Sequence, residues 1–268
     1  MLVHNRSQAS VHELIKADTI STESPAMVAK QVDVIFTNLP DSPDVELVAL
    51  GKDGILAGAH EGLIFVDNST IKPATARKIA VTLEQAGVSS LDAPVSGGDI
   101  GAKNGSLAVM VGGPEDAFEK VLPIFKAMGR TITHVGQSGA GQIAKVANQI
   151  MVAAQMVAMG ELLILAKKAG ANPQKVVTAI RGGAAQCWAL DNKPQRLFAG
   201  RRDPGFKAYM QTKDLNIVMD TAREYGVPLP LTGITTQLYQ AMVEMGLQDL
   251  DNSAVIAIIE TLSGTQLV

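Results

Sequence analysis

A single cysteine, Cys187, stands among 268 residues, so an intrachain disulfide is excluded and a cysteine-built zinc site is not expected. The four histidines are scattered singly, which gives no ligand cluster for a zinc-dependent dehydrogenase, and no metal is expected. Charge of either sign is scarce as well. With 23 Lys and Arg against 26 Asp and Glu, the net charge is −3, and nothing in that balance recruits nucleic acid or an anionic membrane. No charged-then-apolar leader opens the sequence. No apolar run is expected to cross a bilayer, because the longest is broken by Gln149, Gln155 and Glu161. The expectation is a soluble cytoplasmic chain, long enough for one large domain or two ordinary ones.

What is present is a change of pattern part-way along. Leu2-Val3-His4 reads as the end of a strand, and a helix with Ser10 and Glu13 spaced as a capping box follows it. Compact apolar strands are expected at 33–39, 62–67, 90–95, 107–111 and 131–135. Between them lie the turn-rich stretch from Asp41 to Val45, a helix that Pro73 begins, and a helix from about Pro114 to Met128. Continuous apolar strands alternating with helices imply a parallel sheet covered on both faces. From Gly141 the apolar spacing is helical almost to the end, first in one run to about Lys168, roughly 40 Å long at 1.5 Å per residue. The breaks fall at Gly170, Gly182-Gly183, Pro204-Gly205, Pro228 to Pro230 and Gly246. The expected organisation is therefore an α/β domain over 1–137 and an all-helical domain over 138–268, joined by a long helix over 141–168.

In open parallel sheets, ligands sit beyond the carboxyl ends of the strands. That singles out Leu39-Pro40, Asn68-Ser69-Thr70, Ser96-Gly97-Gly98 and the stretch from Gly139 to Lys145. Lys145 and Asn148, three apart, share a helix face. A desolvated lysine there can donate a proton near neutral pH, and the alternative is a solvated lysine on a surface helix. Gly139-Ala140-Gly141-Gln142-Ile143-Ala144 matches Gly-x-Gly-x-x-Ala, but a dinucleotide fingerprint belongs in a βαβ unit, whereas more helix follows here. Arg6 and Ser7, after the first strand, suit a 2′-phosphate; an exposed turn arginine is the other reading. Thr70 can equally be a turn hydroxyl, Ser96-Gly97-Gly98 a tight loop, and Asp214 a first-turn helix acid. Trp188 and Cys187 are read as core, the alternative being that they line a substrate pocket, and Asp251 with Ser253 as a helix start.

Five ordered strings carry a resemblance: FTNLPDSP from Phe36, VDNSTIKP from Val66, LDAPVSGGDIGAKNGSLAVMVGG from Leu91, GQSGAGQIAKVANQI from Gly136 and PGFKAYMQTKDLNIVMD from Pro204. Together they resemble the β-hydroxyacid dehydrogenase family, also called 3-hydroxyisobutyrate dehydrogenase-like, from about Val3 to about Glu260. The resemblance implies a Rossmann-type sheet with an all-α C-terminal domain and an NAD(P)-dependent oxidoreductase, NADP being favoured over NAD by Arg6. It implies Lys145 as the catalytic acid with Asn148 beside it, and Ser96, Gly97 and Gly98 on the substrate carboxylate. Leu39, Pro40, Thr70 and Arg6 would meet the cofactor, and Phe206, Lys213 and Asp214 would close over it. The implied reaction is reduction of 2-hydroxy-3-oxopropionate to glycerate. Alternatives are the reactions of 3-hydroxyisobutyrate dehydrogenases and of glyoxylate/succinic semialdehyde reductases. A homodimer or homotetramer is expected.

Members of that family open with a strand, a Gly-x-Gly-x-x-Gly turn and a helix, which this sequence does not contain ahead of Leu2. The sheet is therefore expected to be incomplete at its N-terminal side, to bind NADPH poorly and to fold marginally. A rival reading is a non-catalytic truncated paralogue that acts through oligomerisation of its helical half.

Overall fold

The computed structural model describes residues 1–16 and 18–268, without the side chains of Gln8 and Ser10. Met1–Gly97 with Gly101–Lys145 form one compact unit, and Gly98–Ile100 with Val146–Val268 form the second. The first unit begins β1 (Leu2–Val3), α1 (Gln8–Ile15), β2 (Ile20–Ser21), α2 (Pro25–Ala29), β3 (Val34–Thr37), α3 (Ser42–Leu50), β4 (Ile64–Asp67), α4 (Pro73–Glu84) and β5 (Ser89–Asp92). It continues through β6 (Val95–Ser96), α5 (Gly98–Lys103), β7 (Leu107–Gly112), α6 (Glu115–Met128), β8 (Gly129–Gly136) and the start of α7 (Ala140–Lys168).

Helix starts follow local chemistry. The stretch from Asp41 to Val45 is not a turn as expected but the opening of α3. The Asp41 carboxylate accepts from the Ser42 N–H, and Pro43 occupies a position where its missing N–H costs nothing. Pro73 opens α4, as its position in the sequence requires. Helix α1 starts at Gln8, with Ser7 as its N-cap, so Ser10 falls inside the helix; the side chain of the expected capping box lies outside the described residues.

The strands divide into two sheets. β1 and β2 pair in parallel by themselves, while the larger sheet runs β3-β4-β5-β7-β6 with β8 on β7. β3, β4 and β5 are parallel and in register, so that Thr37, Asp67 and Asp92 lie side by side at their carboxyl ends. The expected strand over 90–95 is in fact two, broken at Ala93-Pro94. β7 then runs antiparallel to both β5 and β6, because the connection through the short α5 brings the chain straight back instead of crossing over. Apolar side chains fill both faces: Ile35, Phe65, Ile79 and Leu83 in one cluster, Val66, Leu91, Val109 and Phe125 in the other.

The second unit carries most of α7, then α8 (Pro173–Ile180), α9 (Trp188–Asn192), α10 (Pro194–Phe198), α11 (Ala208–Tyr225), α12 (Pro230–Glu244) and α13 (Ile256–Ser263). Its core gathers Met156, Met159, Leu163, Leu197, Leu215, Tyr239 and Ile256. α11 ends on Gly226 in the left-handed conformation, φ 65°, which a glycine adopts without strain. One sequence expectation needs correcting. α7 is by length and composition apolar enough to cross a membrane, because its glutamines and glutamate are too few to break the run, yet half of its most apolar window is buried inside the protein.

Candidate active site

Helix α7 is the element on which the candidate residues are mounted, and its first turn is fixed by a side chain from β5. The Asp92 carboxylate accepts the Gly139 N–H through Oδ1 at 2.7 Å and the Gln142 N–H through Oδ2 at 2.8 Å. A carboxylate so placed complements the positive end of the helix dipole. A Cβ on Gly141 would stand 2.2 Å from the Asp92 carbonyl oxygen and 2.5 Å from that of Met110, so only glycine allows this approach. The Gly-x-Gly-x-x-Ala string is thus a docking point between helix and sheet, and two of its N–H groups are spent on protein. Burial pushes the Asp92 carboxyl up to about 6, against the two backbone hydrogen bonds that pull it down and with a further push from Asp67.

One turn further on, Lys145 is buried, 7% exposed, with Nζ donating to the Val95 carbonyl at 2.7 Å. The alternative of a solvated surface lysine does not hold. Val95 immediately precedes Ser96, Gly97 and Gly98, all of them partly or fully exposed. Gly97 and Gly98 have φ of 133° and 64°, a left-handed course that side chains resist, in the stretch that follows Val95 and Ser96 directly along the chain. Gly98 groups with the second unit, where a Cβ on it would lie 3.9 Å from the Gly205 carbonyl oxygen.

At the carboxyl ends of β3 and β4 the loops are tied by Asp67. Its Oδ1 accepts from Thr37 Oγ1, Ser69 Oγ and the Ser69 N–H, and Ser69 Oγ in turn accepts the Leu39 N–H at 2.8 Å. Gln142 reaches back from α7, donating to the Ser69 carbonyl and accepting the Ile71 N–H. Leu39 and Thr70 are thereby held in fixed loops, half-buried, with Pro40 exposed beside them. Arg6 stands exposed after β1, and Ser7 makes no capping bond to α1. An exposed guanidinium suits a phosphate. The exposed Arg6 guanidinium is the group here whose chemistry fits a dinucleotide phosphate, since the Leu39 N–H is given to Ser69 and Pro40 has none.

In the second unit, Asn148 donates to Gln149 Oε1 at 2.7 Å, Gln149 donates to Asp214 Oδ2 at 2.6 Å, and Lys213 pairs with Asp214 Oδ1 at 2.8 Å. The alternative of a first-turn helix acid does not hold for Asp214. It sits well inside α11, 2% exposed, where it holds Gln149 and Lys213 instead of meeting solvent. Phe206 is fixed by its backbone: its N–H reaches Asp251 Oδ2, and its carbonyl accepts the Asn252 N–H at 2.8 Å. Asp251 starts the short helical turn Asn252–Val255, as its sequence context suggested, and accepts the Ser253 N–H and hydroxyl. It also forms a buried ion pair with Lys193, at 2.8 and 2.9 Å, that no spacing announced. Burial pushes the Asp251 carboxyl up, but the Lys193 ammonium and the hydrogen bonds from Ser253 and Gly205 outweigh it and hold the carboxyl below its usual range.

Trp188 is not core. It is 49% exposed, with the Lys193 ammonium 5.5 Å from its ring, while Cys187 is partly buried at the margin of the apolar cluster. Asp92, Gln149 and Lys193 were not singled out as site residues by the sequence, and Gln142 only as part of the stretch from Gly139 to Lys145. Among the described residues, no group of three or more His, Cys, Asp or Glu is placed to hold a metal ion.

Residues 1–136 match the family model described as the NAD binding domain of 6-phosphogluconate dehydrogenase, and residues 139–259 that described as NAD-binding of NADP-dependent 3-hydroxyisobutyrate dehydrogenase. The chain is 39% identical over 255 residues to the 2-hydroxy-3-oxopropionate reductase of Escherichia coli K12, spanning 95% of this chain and 87% of that protein. It is 34% identical over 261 residues to the 2-(hydroxymethyl)glutarate dehydrogenase of Eubacterium barkeri, across 97% and 87% of the two chains. A solved structure of the 3-hydroxyisobutyrate dehydrogenase of Mycobacterium tuberculosis with L-serine superposes with a TM-score of 0.87 at 32% identity, covering 96% of this chain and 89% of that one.

Proposed function

Since this chain belongs to the β-hydroxyacid dehydrogenase (3-hydroxyisobutyrate dehydrogenase-like) family of NAD(P)-dependent oxidoreductases acting on hydroxyl groups, we propose that it reduces 2-hydroxy-3-oxopropionate, tartronate semialdehyde, to glycerate. The observation that carries the reading is the buried Lys145 ammonium, hydrogen-bonded at Val95 beside the Ser96-Gly97-Gly98 loop. The nicotinamide, when bound, supplies the hydride that reaches the aldehyde carbon. Charge then grows on the carbonyl oxygen, and Lys145 stabilises it and ends it by giving up a proton from Nζ. Ser96, Gly97 and Gly98 offer hydroxyl and N–H donors to the substrate carboxylate, and Asn148 orients the substrate. Arg6, Leu39, Pro40 and Thr70 hold the cofactor, with Phe206, Lys213 and Asp214 completing its contacts in this reading.

Relative rates on four substrates test the proposal. The kcat/KM for 2-hydroxy-3-oxopropionate should exceed those for glyoxylate, for succinic semialdehyde and for the aldehyde corresponding to 3-hydroxyisobutyrate, all measured as reductions. A clear preference for any of the other three would reassign the substrate within the family. Absence of turnover on all four, together with a stable oligomer, would favour the non-catalytic paralogue. The relative identical at 39% to this chain supports tartronate semialdehyde.

Arg6 is proposed to meet the 2′-phosphate of NADP. Arg6→Ala should weaken NADPH binding roughly tenfold or more, the loss of one charge-assisted contact, with NADH affinity unchanged. Equal losses for the two cofactors in a fluorescence titration would remove Arg6 from that role. We propose a cytoplasmic location, in keeping with the lone cysteine. A homodimer or homotetramer is proposed from the exposed Leu231 and Ile234 of α12 and Leu262 of α13, and light scattering gives its mass.

A further inference from the structure

We infer that Asp92 is the positioning residue for Lys145, clamping the first turn of α7 to the end of β5 so that the ammonium is held at the Val95 carbonyl. Both ends of the arrangement come from strands consecutive along the chain, joined by Ala93-Pro94. Asp92 closes β5, and Val95 lies three residues beyond it along the chain, at the start of β6. Gln142, whose N–H the carboxylate holds, lies three residues before Lys145 on α7. The carboxylate and the Val95 carbonyl therefore grip the same helix one turn apart, at 2.8 and 2.7 Å. The clamp fixes the backbone from which the Lys145 side chain reaches Val95. Gln142 strengthens the grip through the Ser69 carbonyl and the Ile71 N–H.

The clamp needs a carboxylate with both oxygens as acceptors. An Asn at the same place presents one oxygen and one NH₂, so one of the two backbone N–H groups would face a donor. Protonation of Asp92 has the same effect, since the acid's O–H replaces one acceptor. The charged groups facing Asp92 are Asp67 of β4, in register beside it, and Arg77 of α4, whose guanidinium lies against Gly139. Among the described residues, β7 brings Gly112 against the carboxylate, and α7 the N–H groups of its first turn.

The inference rests on Lys145 as the proton donor, and the two separate in experiment. At saturating NAD(P)H and pH 7.5, Asp92→Asn should lower kcat roughly 10- to 100-fold, the cost of a small displacement of a reacting group, and leave the cofactor Kd within a factor of about two. The kcat of the unmodified chain should also fall on acidification through about pH 6, where Asp92 takes up its proton, and this limb should be absent from Asp92→Asn.

A readout independent of turnover follows from linkage. The folded pKa is raised above the unfolded value of 3.8, so the stability that Asp92 contributes is complete below 3.8 and is lost as pH rises through about 6. Thermal midpoints of the unmodified chain should therefore decline over that window relative to Asp92→Asn. Amide exchange at Gly139 and Gln142 should be faster in the variant. Unchanged kcat and an acid limb retained in Asp92→Asn, while Lys145→Ala is inactive, would overturn the positioning role alone. Unchanged turnover in Lys145→Ala would overturn the proton-donor reading itself. A fall in kcat matched by an equal fall in stability at pH 7.5 would make Asp92 merely structural and also overturn the inference.

Discussion

With the glycine turn and its flanking strand and helix supplied ahead of Leu2, Lys145→Ala is expected to lower turnover by ~10² to 10⁴ at saturating NAD(P)H, the usual worth of a positioned general acid, while the cofactor Kd stays nearly constant. The expectation follows from what the side chain is committed to. Its Nζ is buried and donates to the Val95 carbonyl, which anchors the ammonium and aims it at the end of the strand where the Ser96-Gly97-Gly98 loop begins. Removing it deletes the proton donor but none of the loops assigned to ribose and phosphate. Lys145→Arg sharpens the reading. A guanidinium keeps the charge yet does not release its proton near neutral pH, so turnover should stay low although electrostatic stabilisation is partly retained. Steady-state rates with a separate cofactor titration check both variants, and turnover within twofold of the unmodified chain in Lys145→Ala would end the mechanism.

The second large effect is on stability. Lys193→Ala should destabilise the second unit by about 3–5 kcal/mol, the typical cost of leaving one member of a buried ion pair without its partner. Lys193 and Asp251 side chains are 7% and 2% exposed, and Asp251 holds the backbone of Gly205 and Phe206 as well as Ser253. An uncompensated carboxylate at that point strains the whole loop. Replacing both residues, Lys193→Met with Asp251→Asn, should recover much of the loss because no buried charge remains. The pH dependence has a definite sign. The pair lowers the Asp251 pKa in the folded state, so its stabilisation is present above 3.8 and is lost only as pH falls through the lower folded value. Denaturant midpoints of the unmodified chain and the two variants, measured near pH 7, decide the matter. A loss below about 1 kcal/mol in Lys193→Ala, the range of exposed pairs, would show that the pair is not sealed from water.

Much of this molecule is legible along the chain. Apolar runs of strand length, proline at helix starts and a long helical period after Gly141 determined the α/β and all-helical halves. A lysine and an asparagine three apart on one helix, with glycine loops after the strands, marked the candidate residues, because spacing along a helix or a strand is a local property. The sequence also resisted its own false signal, since the helix that follows Gly139 to Ala144 contradicts a dinucleotide fingerprint.

What only the tertiary structure decided are the partners of buried polar groups. Asp92 finds the N–H groups of Gly139 and Gln142 at 47 and 50 residues' distance, Gln149 finds Asp214 at 65, and Lys193 finds Asp251 at 58. No periodicity links such positions. The reversal of β7 and the burial of Asp214 inside α11 were hidden for the same reason. A residue's type declares that it needs a donor or an acceptor once water is gone, and only the packing of distant segments settles which one it receives.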